Sequence, residues 1–503
     1  MEKNELGLIN ISDLLVQIFD ILQAIYYFLL PILIVANIFF AITIVFVERK
    51  NPQRVVSWIL VLLLLPFLGF FLYLVFGQNY RKEKLFSIKN ESDQKLTDLM
   101  ASQIKEIKEN EDIQTSRWSG AIRRMAVLLL QNNRAIITTN NHITPYTDGK
   151  AKFAALIEEI SKARDHVHME YFILKDDGLG RDIMKALTER ARAGVEVRLL
   201  VDGVGSGGLP KHFYDEFTAA GGKHAIFFPS LFSYFNYRVN FRNHRKIAVI
   251  DGETAFIGGF NIGDDYLGLD ERWGYWRDAA VRIKGTGALV AQVRFYLDWN
   301  FASKDTMKIG ERYFHQSPLP EGTTMQIVSG GPDTRWNPVK ESYMKMIDIA
   351  VETIYIQTPY FIPDQSVMDA LHIAALSGLD VRIMIPSKPD HMFVYWASHS
   401  YVEELLESGV KAYTYDNGFL HAKTIVIDGT VASVGSANWD VRSFRLNFET
   451  NAIIYDEEVA GEFKQAYIND LSKCTELTPA WYASRSRYFK ARSSFSRLFS
   501  PIL

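Results

Sequence analysis

An α/β protein built from a duplicated domain, set behind an N-terminal transmembrane helical hairpin, is the fold the sequence predicts. Three observations carry this. Two long uncharged runs stand near the N-terminus. From about residue 145, short β-rich runs such as 166–174 and 195–201 alternate with helical ones such as 180–193, which is the pattern of βαβ units. The pattern then recurs: 193–202 (AGVEVRLLVD) matches 377–386 (SGLDVRIMIP), and 168–173 (HMEYFI) matches 356–362 (IQTPYFI) with insertion, about 180 residues apart. Solenoid periods are far shorter, so this is a duplicated domain. Two such domains can face each other across a pseudo-two-fold axis, where one site receives one copy of each motif.

A length of 503 residues predicts two to four domains. Hydrophobic residues at 48% and charged residues at 22% exclude a disordered or collagenous chain. The balance of 55 basic to 58 acidic residues lacks the excess of a non-specific nucleic-acid binder. Cys474 is the one cysteine, which excludes an internal disulfide and any zinc site of several thiolates. A reducing compartment fits.

Ala24 to Val47 and Val55 to Phe76 are uncharged runs of 24 and 22 residues. At about 1.5 Å per residue each can span a hydrocarbon core of roughly 30 Å. Glu48 to Arg54 forms a charged turn between them, so residues 1–84 read as a transmembrane hairpin. Pro31 and Pro66 lie inside the spans, as membrane helices tolerate. A signal peptide would need a shorter apolar run and a cleavage site, and a buried core hairpin is the other alternative. Arg49, Lys50 and Arg54 in the turn stand against Lys3, Arg81, Lys82, Lys84, Lys89 and Lys95 outside it. That asymmetry favours a multi-pass cell-membrane protein with its catalytic domains cytoplasmic. Residues 85–140 read as a helical connector, 141–320 and 321–480 as the two domains, and 481–503 as a basic amphipathic tail.

The repeats carry one chemical motif. His244-Arg245-Lys246, Asp251 and Gly258-Gly259-Phe260-Asn261 are echoed by His421-Ala422-Lys423, Asp428 and Gly435-Ser436-Ala437-Asn438. The shared pattern, H-x-K-x4-D-x6-G-[GS]-x-N, has a chance of occurring once on the order of 10⁻⁵. Side chains alternate along a strand, so His and Lys two apart share a face. Two motifs brought together offer two imidazoles, two ammoniums and two amides around one point, with Asn261, Asn438 and Ser436 as substrate-binding candidates. That set suits a phosphate. Cations and amides stabilise its oxygens in the transition state, one imidazole attacks phosphorus and the other protonates the departing alkoxide. Asp251 and Asp428 end their strands and are expected to anchor the loop that follows. Each imidazole needs a partner on its second nitrogen. Asp278 for His244 and Glu449 for His421 are the expected partners; the alternative is surface carboxylates at strand starts. No metal is implied: each His stands beside a Lys, and no zinc-type motif is present.

These residues resemble the phospholipase D superfamily. Ser329–Asp333, Gln357–Phe361, Lys388–His391, Phe419–Lys423, Asp440–Phe444, Leu446–Glu449 and the turn at 51–54 narrow the likeness to bacterial cardiolipin synthases over nearly the whole chain. The resemblance implies a phospholipase D-like fold of two mixed sheets flanked by helices. It implies transfer of a phosphatidyl group from one phosphatidylglycerol to another through a phosphohistidine, with glycerol released and no cofactor. It also implies His244 as nucleophile and His421 as general acid, roles the symmetric motifs leave open. Lys246, Lys423, Asp251 and Asp428 complete the catalytic set it implies. The alternatives are a hydrolytic phospholipase D, a phosphatidyltransferase with another alcohol, a superfamily nuclease, or a membrane scaffold. Two membrane spans and near-neutral charge argue against nucleic acid.

Two further segments suggest a lipid substrate. Residues 226–237 hold six aromatics in twelve, fitting an acyl groove or, equally, core packing. In the tail, Arg485, Arg487, Lys490, Arg492 and Arg497 accompany Phe495, Leu498, Phe499 and Ile502 at helical spacing. This helix is expected to lie on an anionic lipid surface; docking on the protein is the rival.

Overall fold

The computed structural model describes residues 11–47, 52–65, 68–76, 101–105, 109, 119–229, 241–308, 311–314 and 320–500. The chain divides into two units, residues 1–87 with 234–237, and the remainder.

In the first unit α1 runs Ile11–Val47 with Pro31 inside it, α2 Pro52–Leu64 and α3 Leu68–Phe76. The expected second span is therefore two short helices. Pro66 falls between them, outside the described residues. Ile44, Leu62 and Tyr73 pack together with Phe40, Trp58 and Phe70, and the Phe40 and Phe70 rings stack. Among the described residues no helix is long and apolar enough to cross a membrane.

The second unit opens with α4 (Gly120–Asn133). The first half then holds β1 (Ile137–Tyr146), α5 (Gly149–Lys162), β2 (His166–Tyr171), α6 (Gly178–Arg192), β3 (Glu196–Asp202) and β4 (Lys223–Phe227). It continues with β5 (Arg242–Asn243), β6 (Ile247–Ile250), β7 (Thr254–Gly258), β8 (Trp276–Arg277), β9 (Ala280–Gly285) and α7 (Thr286–Ala302). The second half holds β10 (Thr323–Gly330), α8 (Pro338–Ile349), β11 (Thr353–Gln357), β12 (Phe361–Ile362), α9 (Gln365–Leu376), β13 (Asp380–Pro386) and α10 (Met392–Leu406). It continues with β14 (Lys411–Tyr415), β15 (Phe419–Leu420), β16 (Thr424–Ile427), β17 (Val431–Gly435), β18 (Trp439–Asp440), β19 (Asn447–Tyr455), α11 (Glu457–Leu471) and β20 (Cys474–Leu477). The chain's last described helix is α12 (Arg487–Arg497).

Strand order displays the duplication. The first half runs β1-β9-β7-β6-β2-β3-β4, and the second repeats it as β10-β19-β17-β16-β11-β13-β14 with β20 added. Antiparallel pairing of β1 with β10 joins the halves edge to edge, so the two expected sheets are one sheet of 16 strands. Both faces are covered, which is why β6 (IAVI) and β16 (TIVI) read as continuous apolar runs. Ala248 and Ile250 face one core with α5 and α6. Ile247 and Val249 face another, shared with Val426 of the second half and covered by α7 and α11. Ile425 and Ile427 face a third, beneath α8 and α9.

The tail follows the rival reading. Phe489 packs edge-on against Trp396 of α10, with ring centroids 4.9 Å apart, and Ser493 and Ser496 are buried. Arg497 bonds Glu404. The docked face is not the expected apolar one: Phe495 and Leu498 remain 55% and 74% exposed. In the aromatic segment the buried Phe227 and the half-buried Phe228 pack on Phe301 and Phe448. The part of that segment from 230 onward lies outside the described residues.

Candidate active site

Each motif enters the sheet at the head of a strand, His244 and Lys246 before β6 and His421 and Lys423 before β16. All four side chains are buried. The two-residue strands beside them tie the halves together. β5 pairs with the start of β19, so that His244 N–H donates to the Phe448 carbonyl at 3.0 Å. β15 pairs with β8, and the Arg277 carbonyl accepts from His421 N–H at 2.7 Å and Ala422 N–H at 3.1 Å.

This crossing reverses the expected partners. Nδ1 of His244 lies 3.0 Å from both oxygens of Glu449, and Nδ1 of His421 lies 2.6 Å from Asp278. Each half thus orients the imidazole of the other. A carboxylate on Nδ1 fixes the proton there and leaves Nε2 for chemistry. Both acids are fully buried, yet the imidazole and ammonium charges around them hold their carboxyls below the ordinary range.

The lysines are held close. Nζ of Lys246 donates to the His244 carbonyl at 2.6 Å. Nζ of Lys423 bonds the His421 carbonyl and stands 2.8 Å from His421 Nδ1. Burial, opposed by Glu449 and aided by the Lys423 charge, pushes Lys246 down to about 7, and burial pushes Lys423 down to about 8. Burial and the lysine charges, outweighing the carboxylates, push both imidazoles down to about 4. Lys423 acts on His244 and Lys246 on His421, so the two motifs share one electrostatic pocket. Without an anion both imidazoles are neutral at physiological pH. A phosphate charge about 4 Å away contributes roughly 4 kcal/mol at an effective dielectric near 20. That is enough to return one imidazole toward protonation near neutral pH.

The remaining expected residues divide. Ser436 Oγ bonds Glu449 and accepts from Thr450 N–H at 3.0 Å, so it supports the carboxylate instead of facing substrate. At the matching position of the first motif, a Cβ on Gly259 would lie 2.0 Å from Asp278 Oδ1. The shorter acid comes closer and needs that space. Gly258 and Gly435 likewise leave no room for a side chain, because a Cβ would meet the Ala279 and Thr450 carbonyls at 2.5 and 2.3 Å. Asn261 accepts from Ile173 N–H and donates to the Tyr266 hydroxyl at 2.8 Å. Asn438 Oδ1 is buried without a hydrogen-bond partner.

Asp251 and Asp428 are not brought to the site. They sit at the far ends of β6 and β16 in left-handed conformation, with φ of 54° and 53°. Asp251 accepts from the backbone of Arg164, Asp165 and His166 at 2.8–2.9 Å. Asp428 does the same for Val351, Glu352 and Thr353 at 2.8–3.0 Å. They anchor the entry to β2 and β11, not the loop that follows them.

Sequence reasoning missed the aromatic walls. Phe172 stands edge-on to His244 at 4.9 Å, and Trp276 and Tyr266 flank His421 at 5.3 and 6.1 Å. A signal was present: Phe172 belongs to the repeated 168–173 segment, and Trp276 stands two residues before Asp278.

A duplicated α/β fold with two histidine–lysine motifs converging on one buried pocket defines the phospholipase D class. Two comparisons specify it further. The family model described as "Cardiolipin synthase, PLD-like domain" matches residues 156–297 and 343–471, and the "Phospholipase_D-nuclease N-terminal" model matches 35–78. The cardiolipin synthase of Listeria welshimeri is 46% identical over 95% of this chain and 99% of its own. That of Staphylococcus aureus is 47% identical over 93% and 95%. Among solved structures, Haemophilus influenzae phosphatidylserine synthase aligns over 76% of this chain and 100% of its own, with a TM-score of 0.58 at 15% identity, a likeness of fold. The chain belongs to the bacterial cardiolipin synthase family of the phospholipase D superfamily.

Proposed function

We infer that the protein is a phosphatidyltransferase that makes cardiolipin and glycerol from two molecules of phosphatidylglycerol. Near-full-length identity to cardiolipin synthases carries the assignment. The purified protein with phosphatidylglycerol is expected to yield cardiolipin and free glycerol. Phosphatidic acid as the sole product would contradict transferase activity.

The roles of the residues follow from the geometry as a proposal. The Nε2 lone pair of His244 attacks phosphorus of the donor. The bond to the glycerol oxygen breaks, and His421 gives that oxygen its Nε2 proton. A phosphatidyl group then rests on His244. The hydroxyl of the second phosphatidylglycerol attacks phosphorus, its proton goes to the now neutral His421, and the P–N bond returns its electrons to His244. Lys246 and Lys423 neutralise the non-bridging oxygens, and Glu449 and Asp278 hold the rings. Asn438 offers its amide to the same oxygens. Crossed orientation of the imidazoles supports this reading, since neither half then holds a complete site.

The hairpin anchors the enzyme in the membrane where both substrates lie. Exposed apolar side chains support this, with Phe28, Phe46 and Leu64 at 73, 73 and 78%. Such surface is costly in water and suited to hydrocarbon. The charge asymmetry about the turn supports cytoplasmic catalytic halves. The exposed Phe495 and Leu498 on basic α12 offer a second contact with anionic lipid.

A further inference from the structure

Beneath each orienting carboxylate lies a buried guanidinium tied to a buried aspartate. Arg245 is 1% exposed; its Nη1 donates to Asp298 of α7 at 2.5 Å, its Nε to the Glu449 carbonyl at 3.2 Å and its Nη2 to the Gly330 carbonyl at 2.9 Å. Arg277 is 3% exposed; its Nε donates to Asp470 of α11 at 2.7 Å and its Nη1 to the Asp278 carbonyl at 2.6 Å. Gln357 adds a second bond to Asp470 at 3.0 Å. In both places a strut runs from a helix on the sheet's outer face to the main chain of the acid that holds a catalytic imidazole.

The two struts are not copies of one another. Arg245 lies inside the first motif, where the second has Ala422. Arg277 precedes Asp278, where Phe448 precedes Glu449. Both arginines come from the first half, although one aspartate comes from each. The Arg245 guanidinium lies over the Phe448 ring at 5.2 Å, so Phe448 fills space at one acid that an arginine's own stem fills at the other. The duplicated chain therefore reaches one arrangement by two routes. Simple retention of an ancestral salt bridge would have left both arginines at matching positions.

We propose that Arg245 with Asp298, and Arg277 with Asp470, are positioning residues that fix the carbonyls of Glu449 and Asp278, and so set the orientation and proton affinity of His244 and His421. A guanidinium bonded to both an aspartate and a peptide carbonyl is rigid where a lysine would be a single point of contact. At metal sites, outer-shell partners that orient a ligating imidazole are worth about 10–100-fold when removed, and the same range is taken for the imidazoles here. The inference rests on the roles proposed for the two histidines.

The test is the pH profile of kcat with Asp470→Asn and Asp298→Asn in the full-length, membrane-reconstituted protein, with folding checked by circular dichroism. A loosened Asp278 holds the His421 imidazolium less well, so Asp470→Asn moves the alkaline limb to lower pH. A loosened Glu449 does the same for His244, so Asp298→Asn moves the acid limb to lower pH. In both, kcat falls about 10-fold at unchanged KM. Arg277→Lys, which keeps the charge but cannot span both acceptors, falls between wild type and Asp470→Asn. Unmoved limbs in folded variants, or activity lost only in step with folded protein, would overturn the proposal. His421→Gln is run beside them. If it abolishes turnover while Asp470→Asn leaves the limb in place, the strut fails and the histidine assignment stands. If His421→Gln keeps a wild-type alkaline limb, both fall.

Discussion

Ser436 and Gly259 occupy the same place in the two motifs and answer to different acids. The hydroxyl of Ser436 bonds Glu449, whereas Gly259 yields the volume that Asp278 fills. Ser436→Ala should therefore lower kcat by about 10-fold with little change in KM, measured as steady-state cardiolipin formation. An equal rise in KM would return Ser436 to substrate binding. The proposed roles of the paired imidazoles predict a bell-shaped pH dependence, with activity lost on the acid side as His244 takes a proton and on the alkaline side as substrate-bound His421 releases its own. Free enzyme holds both imidazoles near 4 and Lys246 near 7, so binding the anionic substrate takes up protons near neutral pH, on an imidazole and on Lys246. Calorimetry in buffers of different ionisation enthalpy reads this directly. Asp251 belongs to the fold: Asp251→Ala loses three backbone bonds and strains a left-handed residue, costing about 2–3 kcal/mol without changing kcat of the folded protein. Glu170 is a further buried acid, with Asn243 as its partner and the Asp298 charge nearby. Burial pushes it up to about 8. An acid whose native value is raised stabilises least at high pH, since the unfolded chain ionises from about 4.5 upward while the native one stays protonated. Glu170→Gln should raise Tm, and raise it more at pH 8 than at pH 5.

Strand ends decide which acid meets which imidazole. The motif strands were legible because His and Lys two apart share one face of a strand and lead into the continuous apolar runs IAVI and TIVI. The partners were not. Asp278 and Glu449 lie at matching places after their motifs, and nothing within one half reveals that β8 pairs with β15 and β5 with β19 across the axis. Sequence symmetry permits same-half and crossed pairing equally, and only the three-dimensional meeting of the halves selects one. Helix α12 gives a second case. Its spacing showed one apolar face, yet the face that docks is built from Phe489 and small serines, because serines allow close approach to α10 while Phe495 and Leu498 stay outside. Phe489→Ala should loosen this helix by about 2 kcal/mol, since its ring is half-buried. Limited trypsin digestion should then cut at Arg492 faster than in wild type, with the rest of the second unit intact. The second apolar run taught a similar lesson: composition counted its length, but its described helices end at Leu64 and resume at Leu68.

At the scale of the whole molecule, duplication has produced one working site instead of two. Joining β1 to β10 makes the sheet continuous, and the shared core beneath α7 and α11 binds the halves through Ile247, Val249, Val426 and Val434. Each half supplies an imidazole and the acid for the other's, so separately expressed halves should be inactive even where they fold. On the proposed reading the N-terminal hairpin adds delivery. Removing residues 1–84 should lower activity on phosphatidylglycerol in vesicles while sparing activity on a water-soluble short-chain analogue. Equal loss on both would make the hairpin part of the catalytic unit. The most direct measurement is intact-protein and peptide mass spectrometry, at alkaline pH to preserve phosphohistidine, of His421→Gln mixed briefly with phosphatidylglycerol. The protein should accumulate one phosphatidyl group on His244, formed slowly and transferred slowly, while His244→Asn carries none. A phosphatidyl group on His421 in the His244→Asn protein would reverse the two roles, and full turnover by either variant would contradict a single site shared between the halves.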